Sequence, residues 1–253
     1  MFGEAVEDYD AVRPGYPDAL VDQVIAAAGP GPALEIGAGT GKATVAFAAR
    51  GVELTCLEPD ARMAAVLRRN VPGVPVIEES FETWRPDRAY RLLYSAQAWH
   101  WVDAARRTGL AWRALAPGGL LALFWNVFLL PDRELRAELA ELDTRYFPSD
   151  ELVSHGGYLA ESTRPEIKPF AEEWPELALH DGRFTGLETR RYRRSMTYST
   201  ADFIRYQATM SIYRMLQPDA REAVLAETAR VLDARGGGIT VTVDTDLALA
   251  RRA

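Results

Sequence analysis

Short hydrophobic runs alternate with segments of helical periodicity between residues 33 and 127. Five runs have the length and continuity of strands that are buried on both faces: 33–36, 52–57, 74–77, 91–96 and 120–124. The segments between them predict helices over about 42–50, 60–70 and 103–116. Strands that alternate with helices are typical of a parallel sheet with helices on both faces. This half of the chain therefore predicts a doubly wound α/β core.

The residues that flank this core follow other patterns. Residues 1–16 carry few apolar side chains and predict an irregular N-terminal arm, whereas residues 18–28 predict a helix. An amphipathic helix over 132–146 is followed by a proline-containing stretch, 147–182. We expect this region to form part of a helical cap over the core.

Two strands are predicted near the C-terminus, at about 187–198 and 239–250. Between them, apolar periodicity predicts two helices, 201–216 and 219–234. Because no linker of distinct composition divides the chain, we expect a single domain. The predicted domain spans residues 1–253. It includes an N-terminal arm at about 1–16 and cap insertions at about 128–182 and 198–236.

A glycine-rich turn follows the first strand, in the order Glu35-Ile36-Gly37-Ala38-Gly39-Thr40-Gly41. Twenty-one residues after Gly37, the second hydrophobic run ends at Glu58. Glycines let a backbone approach a ligand closely, and an acid at the end of the second strand can accept hydrogen bonds from ribose hydroxyls. The layout predicts a site for an adenosine-containing cofactor.

The spacing of the glycines distinguishes between three kinds of cofactor loop. A dinucleotide loop, G-x-G-x-x-G, would need its last glycine at Lys42. A phosphate-binding P-loop would need a glycine at Ile36 and a hydroxyl at Ala43. Both patterns fail, and E-x-G-x-G-x-G remains. A turn that binds no ligand is the alternative, but three glycines with a correctly spaced acid favour a cofactor.

The E-x-G-x-G-x-G motif resembles motif I of the class I S-adenosylmethionine (SAM) methyltransferases, whose loop wraps the methionine part of SAM. Glu58-Pro59-Asp60 is similar to the family's motif II, and the Pro117-Gly118-Gly119 segment is similar to the turn before its fifth strand. The resemblance covers about residues 30–127. It implies SAM as the cofactor and a seven-stranded, mostly parallel, Rossmann-like sheet whose last strand is antiparallel.

The resemblance also implies cofactor contacts by position. Ser80 and Phe81 fall where the family places a polar and an apolar residue against adenine, and Gln97 falls at the active-site mouth after the fourth strand. The implied cofactor-binding residues are Glu35, Gly37, Ala38, Gly39, Gly41, Glu58, Pro59, Ser80, Phe81 and Gln97. The segments 9–16 and 97–101 narrow the resemblance to a small-molecule branch related to trans-aconitate and ubiquinone-pathway methyltransferases.

The segment after the fourth strand also contains candidate groups for binding a methyl acceptor. His100 can exchange a proton near neutral pH and is the candidate general base. Its alternatives are to line the pocket or to pack at the start of the next helix. Trp99 and Trp101 are candidate walls of the acceptor pocket, and core packing is the alternative for one of them. 

Three residues of the arm form a second candidate group for the acceptor. Arg13, with Tyr9 and Tyr16 on either side, could close over SAM and bind an anionic acceptor. The alternative is a segment that enters the first helix and is anchored by aromatic packing.

Composition narrows the partners and the location of the protein. A net charge of −7 disfavours binding to nucleic acid. The arginines of the basic run 190–194 would alternate between the two faces of a strand, so they would not form one basic surface. No apolar run approaches ~20 residues, so we expect no membrane span. Cys56 is the only cysteine, and the first residues lack the pattern of a signal peptide. We expect a cytoplasmic protein.

The sequence predicts a SAM-dependent methyltransferase that acts on a small organic acceptor at oxygen, nitrogen or a carboxylate. Enzymes that methylate nucleobase amines carry the motif [ND]-P-P-[YF] after the fourth strand, where this chain has Ser95-Ala96-Gln97-Ala98 instead. The sequence also lacks the His and Cys spacing of a zinc site. A noncatalytic SAM-binding or regulatory protein is one alternative. A nicotinamide-dependent oxidoreductase is another, which the glycine spacing disfavours. The acceptor and the oligomeric state are not predicted.

Overall fold

The computed structural model describes residues 6–147 and 182–253. Its helices are α1 (Val6–Val12), α2 (Asp18–Ala28), α3 (Thr44–Ala48), α4 (Ala61–Asn70), α5 (Arg107–Ala114), α6 (Arg133–Thr144), α7 (Thr200–Ala208), α8 (Ser211–Met215) and α9 (Pro218–Ala234). Its strands are β1 (Ala33–Ile36), β2 (Leu54–Leu57), β3 (Val76–Ile77), β4 (Tyr90–Ala96), β5 (Leu115–Leu129), β6 (Phe184–Ser199) and β7 (Gly238–Arg252). A 3₁₀ turn, Trp99–Trp101, follows β4.

The strands of the described ranges form one seven-stranded sheet in the order β3-β2-β1-β4-β5-β7-β6. β1 pairs in parallel with β2 and β4, β2 pairs in parallel with β3, and β4 pairs in parallel with β5. One antiparallel pair completes the sheet, which confirms the predicted fold class. Because β1, β2 and β4 run in the same direction, their carboxyl ends meet at one edge, where open α/β sheets bind ligands.

Residues 14–126, 182–192 and 245–253 form one compact unit. Side chains alternate along its strands, so hydrophobic clusters cover both faces of the sheet. In β4, Leu93 belongs to one cluster together with Leu34, whereas Leu92 belongs to the other together with Ala33. Burial on both faces explains why the runs are almost continuously hydrophobic.

Residues 6–13, 127–147 and 193–244 form a second compact unit with its own core. One buried cluster joins residues from α1, α6, α7, α9 and β7. Its members include Val12, Leu135, Phe203, Leu232 and Val241. 

The irregular conformation predicted for residues 1–16 is wrong over Val6–Val12, which form α1. The first and last residues of this helix are buried, and the helix packs against α7. Asp8 also forms an ion pair of 2.9 Å with Arg205. These partners lie about two hundred residues away in the sequence, so local periodicity could not reveal the helix.

The helix predicted over 201–216 is divided into α7 and α8. Thr209 stands at the break, where its hydroxyl donates to the carbonyl of Tyr206 at 2.7 Å. A threonine side chain that bonds to the preceding turn competes with continuation of the helix. 

The expectation of a single domain stays a prediction. Arm residues 1–5 and cap residues 148–181 lie outside the part of the chain that the structure describes. Among the helices that are described, none is long and apolar enough to cross a membrane.

Candidate active site

The glycine-rich loop joins the end of β1 to α3 and lies beside the end of β2. The N–H groups of Gly37 and Ala38 both donate to the carbonyl of Leu57, at 2.9 and 3.0 Å. Gly37 has φ +66°, and a Cβ there would lie 2.4 Å from the Cβ of Ala98. This loop therefore lies directly against the segment that follows β4.

Gly39 presents an open face of the same loop. Its φ is +59°, a conformation that glycine adopts without strain. A Cβ built on Gly39 would have no heavy atom within 4 Å. The backbone of this residue is thus accessible to a ligand, whereas Gly37 is glycine because a neighbour occupies its side-chain space.

The Glu58 carboxylate is fixed by two backbone groups at the end of β2. One oxygen accepts the N–H of Gly39 at 2.7 Å, and the other accepts the N–H of Asp60 at 2.9 Å. Glu58 is buried, and its burial raises its pKa despite the lowering effect of these two hydrogen bonds. Pro59 is exposed, and Asp60 caps α4 by accepting the N–H of Arg62 at 2.9 Å. The motif therefore links the acid, the loop and the next helix.

Glu35 lies in a buried network beneath the loop. One of its carboxylate oxygens accepts the hydroxyls of Thr44 at 2.6 Å and of Tyr94 at 2.7 Å, and the Cys56 thiol lies at 3.8 Å. Desolvation raises the pKa of Glu35 to about 7, although these hydrogen bonds lower it. The network joins β1, β2, β4 and the start of α3. Direct contact of Glu35 with a cofactor stays a prediction.

The turn after β3 contains the two residues that were predicted to lie against adenine. Ser80 is partly exposed, and its carbonyl accepts the N–H groups of Thr83 and Trp84. Phe81 is buried, and its ring lies 6.3 Å from the rings of Trp84 and Trp99. The contact of both residues with adenine stays a prediction.

Gln97 has a strained backbone at the end of β4. Its φ is +61°, and among the described residues it alone has a positive φ without being glycine. Its side-chain oxygen accepts the N–H of Asn126 at 3.0 Å, and its amide nitrogen donates to the carbonyl of Asn126 at 3.4 Å. Such strain occurs at ligand sites when the surroundings enforce it. Here the two hydrogen bonds to the backbone of Asn126, in β5, hold Gln97 in this conformation.

The residues of the 3₁₀ turn occupy different environments. Trp99 is 1% exposed and lies in the core, which is the packing alternative considered for one tryptophan. Trp101 is 62% exposed, and the ring of His100, also exposed, lies 4.8 Å from it. His100 and Trp101 are thus at the surface beside the end of β4. The general-base role of His100 stays a prediction.

The three predicted arm residues do not share one set of partners. The Arg13 guanidinium lies over the rings of Tyr9 and Tyr206, at 5.1 and 4.6 Å, and its Nε donates to the Thr209 hydroxyl at 3.0 Å. Tyr16 packs edge-on against Phe124, with ring centroids 4.8 Å apart. These contacts are those expected of an anchored segment. The role of the three residues in acceptor binding stays a prediction.

Asn126 is a site residue that the sequence interpretation missed. Its side chain accepts the Thr245 hydroxyl at 2.5 Å and donates to the carbonyl of Gly15 at 3.3 Å. It is nearly buried and also bonds to Gln97 through its backbone. The available signal was a single polar residue that interrupts the hydrophobic run of β5. No group of His, Cys, Asp and Glu that could hold a metal ion is found within residues 6–147 and 182–253.

Residues 34–123 match the sequence model of a family described as a methyltransferase domain. This part of the chain is therefore similar to a methyltransferase domain. The matched range begins in β1 and ends in β5, so the similarity includes the glycine-rich loop, Glu58 and the segment after β4.

Relatives in sequence are similar to the same half of the chain. An uncharacterized methyltransferase of Mycobacterium tuberculosis is 40% identical over 126 residues, which are 49% of this chain and 51% of the relative. Trans-aconitate 2-methyltransferase of Acidovorax sp. is 33% identical over 113 residues, 42% of this chain and 43% of that enzyme. The match thus spans about half the length of these relatives.

The fold of the whole chain is similar to that of a solved methyltransferase structure. A candidate type II methyltransferase from Anaeromyxobacter dehalogenans superposes with a TM-score of 0.66 and 24% identity. The alignment covers 94% of this chain and 97% of that protein. At this identity the likeness concerns the fold alone. Together with the match of residues 34–123 to a methyltransferase model, it confirms the predicted resemblance to class I methyltransferases.

Proposed function

We propose that this protein is a SAM-dependent methyltransferase that acts on a small organic acceptor at oxygen, nitrogen or a carboxylate. The observation that carries the proposal is the pairing of Gly39 with Glu58. The loop has an unobstructed face at Gly39, and the N–H of that residue donates to the buried carboxylate that would receive the ribose.

The residues of the loop fit a cofactor with an adenosine and an amino-acid part. Each Glu58 oxygen accepts one backbone N–H, and each retains a second lone pair that can accept a ribose hydroxyl. The open backbone around Gly39 leaves space for the methionine part, since no side chain occupies it. Ser80, Phe81 and Gln97 border the site at the ends of β3 and β4.

Bound SAM would supply a methyl group on a positively charged sulfur, which is already activated for transfer. The protein then has to orient the acceptor and exclude water. An acceptor phenol or alcohol must also lose a proton, and we assign this role to His100, which follows β4 in the sequence. A carboxylate or an amine needs no such base.

Three observations support a small acceptor. The chain carries a net charge of −7, which disfavours binding to the phosphates of nucleic acid. Ser95–Ala98 departs from the nucleobase-methylation motif. A sequence relative, trans-aconitate 2-methyltransferase, acts on a small acid by its name. 

The test begins with calorimetry, in which SAM, S-adenosylhomocysteine, NAD and ATP are titrated separately. We expect SAM and S-adenosylhomocysteine to bind with micromolar-range affinity and NAD and ATP not to bind. Tight binding of NAD without binding of SAM would instead indicate an oxidoreductase.

A second assay separates catalysis from binding alone. The protein is incubated with SAM and pools of small acids, phenols and amines, and release of S-adenosylhomocysteine is measured. Release that depends on one pool supports the proposal. Release only with nucleic acid or protein substrates contradicts the small acceptor, and binding without release in any pool favours the noncatalytic alternative.

A further inference from the structure

A cavity of about 260 Å³ lies between α5 and the turn after β3, and the buried ring of Phe81 forms part of its lining. Leu110 and Arg113 of the helix line it together with Arg106, which directly precedes the helix, and the turn also contributes Trp84 and Arg85. The two sides belong to the same compact unit. This volume is slightly below the range of 300–1,000 Å³ that is usual for drug-sized ligands. The cavity therefore suits a small metabolite or one charged group of a larger one.

The spacing of Arg106, which directly precedes α5, and of Leu110 and Arg113 on the helix brings these three lining residues to one face. Positions 106, 110 and 113 are separated by four and three residues, and side chains at these separations are neighbours on a helix surface. Leu110 is buried and both arginines are exposed. Across the cavity, Trp84 is buried and Arg85 is exposed. The cavity thus has an apolar base and three guanidinium groups around its opening.

Backbone contacts hold two of these guanidinium groups in place. Nη1 of Arg85 donates to the carbonyls of Glu82, Thr83 and Trp84 at 3.1, 2.8 and 2.9 Å. Nη2 of Arg106 also donates to the carbonyl of Glu82, at 3.1 Å. An arginine has five N–H donors, so these bonds fix the groups and leave other donors for a ligand.

Within the described ranges, no carboxylate forms an ion pair with Arg85, Arg106 or Arg113. Other arginines of the same unit do form such pairs, as Arg50 does with Asp18 and Asp22. Three positive charges around one cavity without carboxylate partners repel one another and attract an anion.

Glu82 is the acid that most directly offsets this charge. One of its oxygens accepts the N–H of Asp103 at 2.9 Å. Burial raises the pKa of Glu82, but hydrogen bonds from the backbone of Asp103, from its own backbone and from the Ser80 side chain, together with the charge of Arg106, outweigh it and leave the pKa below its ordinary value. Glu82 is therefore negatively charged at neutral pH. It offsets one of the three positive charges around the cavity, so the net charge there stays positive.

We propose that this cavity is a binding site for a small, multiply charged oxyanion, either a phosphate ester or a polycarboxylate. Planar guanidinium groups match the oxygens of both anions and bind them through paired hydrogen bonds. The site goes beyond the proposed methyl transfer and does not depend on it.

The test measures anion binding in the absence of SAM and of any acceptor. Inorganic pyrophosphate and citrate are titrated separately into the full chain by calorimetry at low ionic strength. We expect saturable 1:1 binding of at least one of them. The tighter probe identifies the anion class, because pyrophosphate represents phosphate esters and citrate represents polycarboxylates.

Two variants locate the binding site, and a third serves as the control. Arg113→Ala and Arg106→Gln should each weaken binding by about tenfold or more, the scale of a lost hydrogen bond to a charged group. Arg133→Ala removes an exposed arginine at the start of α6, outside the cavity, and should leave the affinity unchanged. All three positions are exposed, so the variants should fold.

Absence of saturable binding by both probes would overturn the proposal. Equal weakening by Arg133→Ala would overturn it as well, since that result indicates attraction by overall charge. Failure here does not affect the SAM titration, which measures another ligand and rests on Gly39 and Glu58.

Discussion

At the scale of single residues, the site depends on two buried acids with different partners. Glu58 accepts two backbone N–H groups beside the open face of the loop, whereas Glu35 accepts two hydroxyls within the core. The position of Glu58 favours contact with a ligand. The position of Glu35 favours a role in holding three strands and the start of α3 together.

Replacement of Glu58 tests the first role. Glu58→Ala should weaken SAM binding by about 1.5–3 kcal/mol, the scale for hydrogen bonds to a charged group. It also leaves the N–H of Gly39 without its acceptor, so the loop should lose order. Glu58→Gln keeps one acceptor oxygen and should have a smaller effect.

Calorimetry measures the affinities of these variants, and circular dichroism checks that they fold. Glu53→Ala is a matched control, because Glu53 is an exposed acid just before the same strand. An unchanged dissociation constant for Glu58→Ala would show that another residue binds the ribose.

Glu35 should make the stability of the protein depend on pH. Its pKa is raised from 4.5 to about 7 in the folded state, so the folded protein binds more protons than the unfolded chain between these values. Its contribution to stability is therefore complete below pH ~4.5 and is lost as the pH rises through 7. The total change is about 3 kcal/mol.

The measurement is urea unfolding of the wild type and of Glu35→Gln between pH 4.5 and 8. Glutamine can still accept the hydroxyls but cannot ionise, so the variant should gain stability relative to the wild type as the pH rises. Glu134→Gln, an exposed acid of α6, provides the control. Parallel curves for the wild type and Glu35→Gln would contradict the raised pKa.

At the scale of elements, long-range contacts determine what local patterns do not. Strands β1, β2, β4 and β5 were predictable because burial on both faces leaves nearly continuous hydrophobic runs. Helix α1 was not, because its seven residues are stabilised by α7, far away in the sequence. The same holds in the site. The spacing of glycines and acid predicts the loop, but the partners of Asn126 lie 111 and 119 residues away.

The docking of α1 on α7 should depend on apolar burial more than on charge. Val12 is buried in the core of its unit, and its replacement by alanine should destabilise that unit by about 2 kcal/mol. The ion pair between Asp8 and Arg205 is more than 40% exposed on both sides, and Asp8→Ala should cost less than about 1 kcal/mol.

Hydrogen exchange of α1 amides and urea unfolding both measure this difference. A larger loss of stability for Asp8→Ala than for Val12→Ala would show that the ion pair dominates the docking.

At the scale of the whole molecule, the proposed cofactor should protect one compact unit preferentially. All the proposed cofactor contacts lie within residues 14–126, which belong to one unit. A ligand that binds only the folded state, at 100 times its dissociation constant, stabilises that state by about 2.7 kcal/mol.

Hydrogen exchange with and without S-adenosylhomocysteine tests this expectation. Protection should increase in peptides that cover residues 33–60 and change little in peptides that cover 200–234. Gly39→Val places a side chain on the open face, at a φ of +59°, and should abolish the protection while the protein stays folded. Normal protection in that variant would show that Gly39 does not face the cofactor.

The contact between Gly37 and Ala98 has a consequence for protein engineering. Libraries that seek new acceptor specificity would vary the residues after β4, since His100 and Trp101 are exposed there. Ala98, however, already occupies the space where a side chain of residue 37 would lie. Any bulkier residue at 98 would displace the glycine-rich loop, so a change intended for acceptor choice would instead reduce cofactor affinity. Such a library should keep alanine at position 98.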